Sequence, residues 1–171
     1  MRFSKVLIVA GFLLGLCLTG AFAQPSPPGT AETVVNGKKV TIAYSRPSMR
    51  GRKIMGELVP FDKVWRTGAN KSTEFKTEAT LTVGNTVIPA GTYTIYTLPS
   101  ATGWKLIINK QTGQWGTEYD QSKDLARIDM KVGKTAAPVE QFTITLTTVK
   151  SAVNLKLEWE TTSATVSFTA K

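Results

Sequence analysis

Apolar and polar residues alternate over most of the chain. Val40, Ile42 and Tyr44 fall on one side of an extended segment, with Lys39, Thr41 and Ala43 on the other. That two-residue period is the mark of a strand buried on one face. Val34 and Val35 precede it across Asn36-Gly37, a dipeptide that tolerates positive φ and so closes a tight hairpin. The same alternation returns at Phe75–Val83, Ala126–Val132, Phe142–Leu146 and Val153–Trp159 and finishes with Val166 and Phe168, and Thr92–Leu98 is a further strand rich in Tyr and Thr. In Trp104–Asn109 Ile107 makes the second face apolar too, which places that strand centrally. Gly84-Asn85, Pro89-Ala90-Gly91 and Pro99–Gly103 supply turns, and the one helical signal is a weak turn near Gln121–Leu125. About nine or ten short strands predict an all-β fold, an antiparallel two-sheet β-sandwich, because a strand apolar on one side must bury it against a facing sheet.

The alternation fails in two places. From Arg46 to Lys71 neither strand nor helix period survives, and Arg46, Arg50, Arg52, Lys53, Arg66 and Lys71 are interleaved with Pro47, Gly51, Pro60 and Gly68. Ile54, Phe61 and Trp65 give the stretch too much apolar surface for disorder, so it is expected to be a long, ordered, Arg-rich loop. The second interruption is residues 110–124, KQTGQWGTEYDQSKD.

The N-terminus changes the setting. Arg2 and Lys5, the apolar run Val6–Leu18 and the triplet Ala21-Phe22-Ala23 form the pattern of a signal peptide over residues 1–23, which predicts a secreted chain, periplasmic or extracellular. Residues 24–31, QPSPPGTA, are expected to be a flexible leader, and 32–171 one domain. The single cysteine, Cys17, falls within the signal core, so disulfides, thiolate metal sites and cysteine nucleophiles are not expected in the mature chain. No histidine is present, which excludes Ser-His-Asp triads and imidazole-bound metals. No cofactor or metal is expected.

The 21 basic and 12 acidic residues give a net charge of +9, which suits an anionic partner. Nucleic acid is not the expected partner, since an exported chain seldom meets it and no recognition signature is visible. The candidate ligand-binding residues are Arg46, Arg50, Arg52, Trp65, Arg66, Asn70, Lys71 and Glu74. Guanidinium groups recognise carboxylate, phosphate or sulfate through paired N–H bonds that lysine cannot reproduce. The same arginines would equally serve as ties that hold the loop, through Glu57, Asp62, Glu74 or backbone carbonyls. Trp65 reads either as a stacking platform or as core. Glu118, Asp120 and Asp124, with Glu74, are the only carboxylates placed for glycoside chemistry, and the spacing of the first three lacks the glycine and distal glutamate of a calcium loop.

The segment YSRPSMRGRKIMGELVPFDKVWRTGANKSTEF, followed by IPAGTYTIYTLP at 88–99, WKLIINK at 104–110, QWG at 114–116 and Tyr119-Asp120, resembles the exported bacterial family named domain of unknown function 2911. The resemblance implies an exported single-domain β protein and brings no activity, ligand or catalytic residue with it. The expectation is therefore a domain that binds an anionic group of a glycan, lipid or small metabolite. A hydrolase or lyase for a charged polysaccharide and a purely structural envelope domain are the alternatives.

Overall fold

The computed structural model describes residues 25–171. The expected signal peptide, 1–23, lies outside the described residues. Nine strands form: β1 (Pro28–Val35), β2 (Lys38–Ser45), β3 (Thr73–Thr77), β4 (Leu81–Val83), β5 (Thr86–Ile88), β6 (Gly91–Pro99), β7 (Trp104–Asn109), β8 (Asp124–Val149) and β9 (Ala152–Ala170). The helical signal near Gln121–Leu125 becomes a single 3-10 turn, Gln121–Lys123, capped by Asp120. Asn36 and Gly37 turn the first hairpin at φ 51° and 74°, both in the left-handed region that this two-residue turn requires. β1 starts at Pro28, inside the segment expected to be a flexible leader, because Pro28 to Ala31 pair with Ser45 to Ile42.

All the pairings are antiparallel, and they join into one nine-stranded sheet in the order β1-β2-β3-β6-β7-β8-β9-β4-β5. The hydrogen bonding is thus continuous, where the sequence predicted two separate sheets. The cause is β8. Its first residues, 124–130, pair with β7, and from Lys131 onward it pairs with β9. The runs Ala126–Val132 and Phe142–Leu146, separate in the sequence pattern, belong to this one strand, which passes between them with register shifts at Lys134/Val139 and Val139/Thr143. Such bulges bend a strand and raise its twist without ending it.

β9 carries the matching irregularity. Val153, Leu155, Leu157 and Trp159 are buried on odd positions, then Ala164, Val166, Phe168 and Ala170 on even ones. Glu160, at φ 55°, sits where the phase changes. A sheet bent in this way folds over itself and encloses one core. Tyr44 of β2 is 5.7 Å edge-on from Phe142 of β8, Phe75 of β3 stacks 6.4 Å from Phe168 of β9, and the hydroxyls of Thr33 and Thr148 are 2.7 Å apart. The central pair β6–β7 is buried on both faces, as expected for β7 alone: Ile95 and Ile108 face this core, while Tyr96 and Ile107 are buried on the opposite side. That opposite side is where the two irregular segments meet.

Candidate functional site

Residues 46–72 join β2 to β3 with only single bridges, and backbone bonds fix them to three strands. Phe142 N–H donates to the Pro47 carbonyl (2.9 Å), and Met49 N–H to the Glu140 carbonyl (2.8 Å). Arg50 and Met55 donate their N–H groups to the carboxylates of Glu140 (2.9 Å) and Glu160 (3.2 Å). Trp65 and Thr97 exchange bonds of 2.8 and 3.0 Å. Ile54 and Val59 are buried as apolar anchors. The Trp65 ring lies 4.9 Å edge-on from Phe142 and stacks 5.8 Å from Trp159. The segment is therefore ordered by backbone pairing and three apolar side chains.

Next to it, residues 114–119 lie along the back of β6. Ser72 N–H donates to the Gln114 carbonyl (3.2 Å) and Gly116 N–H to the Asn70 carbonyl (3.0 Å). Tyr119 stands edge-on to Tyr96 at 4.8 Å. Between the two segments lies an open cleft of about 540 Å³, lined among others by Arg52, Trp65, Arg66, Asn70, Tyr96 and Tyr119.

Four of the eight residues singled out in the sequence thus share one cleft: Arg52, Trp65, Arg66 and Asn70. The other four do not join them. Arg46 is a tie, its Nε donating to the Phe142 carbonyl (3.3 Å) and a terminal nitrogen to Thr143 Oγ1 (3.1 Å). Arg50 is exposed and does not line the cleft. Lys71 and Glu74 line a separate hollow of about 350 Å³ with Ser72 and Gln114. Tyr96, Gly116, Tyr119 and Trp159 also line the cleft and are absent from that set. Of these, Trp159 looks like a core residue from its strand phase, whereas Tyr96, QWG and Tyr119 belong to motifs already noted.

The two cleft arginines differ in their ties. Arg52 donates Nε to the Met49 carbonyl (2.9 Å) and a terminal nitrogen to the Ser48 carbonyl (2.8 Å), which pins its guanidinium at the rim. Arg66 donates only Nε, to the Gly68 carbonyl (3.3 Å), and both its terminal nitrogens are without a hydrogen-bond acceptor among the described residues. Neither arginine makes an ion pair among the described residues. Gly116 makes room for Arg66: a Cβ there would stand 2.8 Å from Arg66 Cδ and 2.8 Å from the Asn70 carbonyl oxygen.

The backbone beneath is strained. Thr67 has φ 52°, Gly68 154° and Asn70 60°. A β-branched residue in the left-handed region is a true outlier and persists only when its surroundings hold it. Thr67 is fully buried, its hydroxyl donates to Thr97 Oγ1 (3.1 Å), and Thr73 Oγ1 donates to its carbonyl (2.8 Å). Asn70 donates Nδ2 to the Ser26 carbonyl (3.5 Å), leaving its side-chain oxygen unpartnered among the described residues.

At the far side of the cleft, Tyr119 donates its hydroxyl proton to Asp124 Oδ2 (2.6 Å) and accepts from a terminal nitrogen of Arg127 (2.7 Å). Asp124 is held in turn by Arg127 Nε (2.9 Å) and Asn109 Nδ2 (2.8 Å). Burial, then the bond to and charge of Asp124, push the Tyr119 phenol up to about 12 against the opposing pull of Arg127. It is a neutral phenol in ordinary conditions. Asp120 caps the 3-10 turn and Glu118 gives its carbonyl to Tyr96, so none of the 118–124 carboxylates lines the cleft. Among the described residues no group of three or more acids, cysteines or histidines is placed to hold a metal ion. No helix among them is long and apolar enough to cross a membrane.

A family model described as "Protein of unknown function (DUF2911)" matches residues 26–168. No curated protein and no solved structure matches the chain.

Proposed function

The chain belongs to the DUF2911 family, and from that premise we propose that it is an exported binding domain whose cleft takes an anionic ligand. Residues 1–23 deliver it across the membrane. Arg66 grips the anion through its terminal nitrogens, Arg52 adds charge at the rim, Asn70 orients the ligand and Trp65 supplies the apolar wall. The observation that carries this reading is Arg66, a half-buried residue lining the cleft, whose guanidinium has no carboxylate and no acceptor for its terminal nitrogens among the described residues. A cleft cation without a counter-charge attracts an anion and offers it paired N–H donors. Glu74 lies outside the cleft and Tyr119 holds its proton, which leaves a polysaccharide lyase without a base beside the arginines.

The test is a titration of glucuronate, galacturonate, glucose 6-phosphate and anionic phospholipid vesicles, read by calorimetry and thermal shift. A ligand present at about 100 times its Kd should add about 2.7 kcal/mol, or roughly 5–10 °C in Tm. The Arg52→Ala, Arg66→Ala variant should lose that gain. If no member of the panel raises Tm, or if the double variant binds as tightly as the wild type, the reading fails.

A further inference from the structure

We propose that the anion is a tetrahedral oxyanion, a sulfate or phosphate monoester, and not a carboxylate. This rests on the anion-binding reading above and narrows it. The ground is the number of donors without a partner on residues that line one cleft. Three consecutive cleft-lining residues, Gly68, Ala69 and Asn70, have backbone N–H groups that donate to no acceptor among the described residues. Gly68 and Ala69 are buried, and a buried N–H without an acceptor is a rarity that calls for one. They adjoin Arg66, whose two terminal nitrogens are likewise unpartnered, while Arg52 keeps one terminal nitrogen beyond its two carbonyl ties.

A carboxylate offers about four acceptor sites, all in one plane, and a bidentate guanidinium takes two of them. The remaining two fall short of the three backbone donors and cannot leave that plane to meet them. A sulfate or phosphate ester presents three terminal oxygens out of plane, so an arginine can take two while peptide N–H groups take the third. Consecutive N–H groups in a stretch that enters the left-handed region form the concave arrangement suited to such an anion. Here Gly68 and Asn70 supply the positive φ values. Glycine is also what lets this stretch pack against the scaffold: a Cβ at Gly68 would stand 3.0 Å from Thr73 Oγ1 and 3.1 Å from the Ser45 carbonyl oxygen.

The rest of the ester's carrier meets acceptors. With its proton committed to Asp124 and one lone pair to Arg127, the Tyr119 oxygen has a remaining lone pair to accept a hydroxyl, as does the Asn70 side-chain oxygen. An oxyanion ester on a hydroxylated ring satisfies both ends of the cleft, whose volume suits a small ring-bearing molecule.

The experiment compares ligands matched in everything but the anion: glucose 6-sulfate, glucose 6-phosphate, glucuronate and glucose, with inorganic sulfate, inorganic phosphate and phosphatidic acid vesicles as separate arms. Calorimetry on the mature chain should give the two esters at least tenfold tighter binding than glucuronate, with glucose silent. Glucose 6-phosphate should tighten between pH 5 and 7 as its second ionisation, near 6, completes the dianion, while the sulfate ester should not change. Arg66→Lys keeps the charge and the stem and should still weaken both esters at least tenfold; an unchanged melting profile shows that it folds. Inorganic ions binding as tightly as the esters would support the oxyanion site and assign it to the free ion, and tightest binding to vesicles would assign it to a lipid headgroup. Glucuronate binding as tightly as the esters overturns the inference while leaving the anion-binding reading in place. Esters that bind Arg66→Lys undiminished overturn it as well, and silence from every anion overturns both.

Discussion

Gly116→Ala tests how the two irregular segments are fitted together. A Cβ at residue 116 would stand 2.8 Å from Arg66 Cδ, 3.2 Å from Arg66 Cβ and 2.8 Å from the Asn70 carbonyl oxygen. Ordinary carbon contacts lie at about 3.5–4.0 Å, so something must move by several tenths of an ångström or more. Gly116 is not among the positive-φ residues, so alanine brings no backbone strain of its own and the cost is overpacking alone. Such overpacking typically costs about 1–3 kcal/mol, or roughly 3–10 °C in Tm for a domain of this size. The cost has two parts. The Arg66 stem can swing away. The Asn70 carbonyl can retreat only by stretching the 3.0 Å bond that Gly116 N–H donates to it, which joins residues 65–72 to 114–116. A double-mutant cycle with Arg66→Ala separates them, because removing the stem relieves the 2.8 Å Cδ contact and leaves the carbonyl clash and the 3.2 Å Cβ contact. We expect a coupling of about 0.5–1 kcal/mol in urea unfolding, with a residual cost in the Arg66→Ala background. Should Gly116→Ala fall within about 0.5 kcal/mol of wild type, or cost the same with and without Arg66, the described fit of glycine, arginine and carbonyl is wrong.

Other outcomes follow from the same geometry. Tyr44→Phe removes the hydroxyl that accepts from the buried Ile144 N–H at 2.9 Å, and leaving that donor unmet should cost about 1–3 kcal/mol in chemical denaturation. An unchanged midpoint would mean that the folded-over sheet does not depend on this bond. Arg46→Ala should lower stability by about 1 kcal/mol through its lost bonds to Phe142 and Thr143 and leave anion affinity unchanged, since it lies outside the cleft. A loss of affinity with stability intact would reverse its assignment as a tie. In alkali, phenolate absorbance should show Tyr93, Tyr96 and Tyr119 ionising above the ordinary 10, Tyr119 last at about 12. A raised folded pKa means that the unfolded chain loses its proton first, so stability is intact below pH 10 and falls as pH rises toward 12. Tyr119→Phe should shallow that fall, and an equally steep decline in the variant would count against the shift.

Much of the framework was legible in the residues. Alternation in Val40–Tyr44, Phe75–Val83 and Val153–Trp159 identified the strands and their buried faces, because a strand's side chains obey a strict period of two. Asn36-Gly37 identified the hairpin through backbone sterics, and Ile107 marked the central strand. The cleft was only half legible. Trp65, Arg66 and Asn70 stand close in sequence, and their composition drew notice to Arg52 as well. Arg46 carries the same chemistry and serves as a tie, and nothing local separates the two uses. Trp159 kept the phase of an ordinary core residue, with no feature to show that the cleft reaches it.

Local sterics and the periodicity of side chains operate over a few residues, so the amino-acid order determined the all-β character, the strand faces and the irregularity of 46–71. Where β8 and β9 bend depends on how bulges at 134–143 and around Glu160 accumulate over two long strands, and the sequence gives no period for that. The bend brings Phe142 and Trp159 under Trp65, and the packing of β6 against 114–119 sets Tyr119 across from Arg66. That Arg46 is tied to Phe142 and Thr143, and that Arg66 keeps terminal nitrogens without an acceptor among the described residues, depends on which segments meet far apart in the chain, and only the tertiary structure contains that.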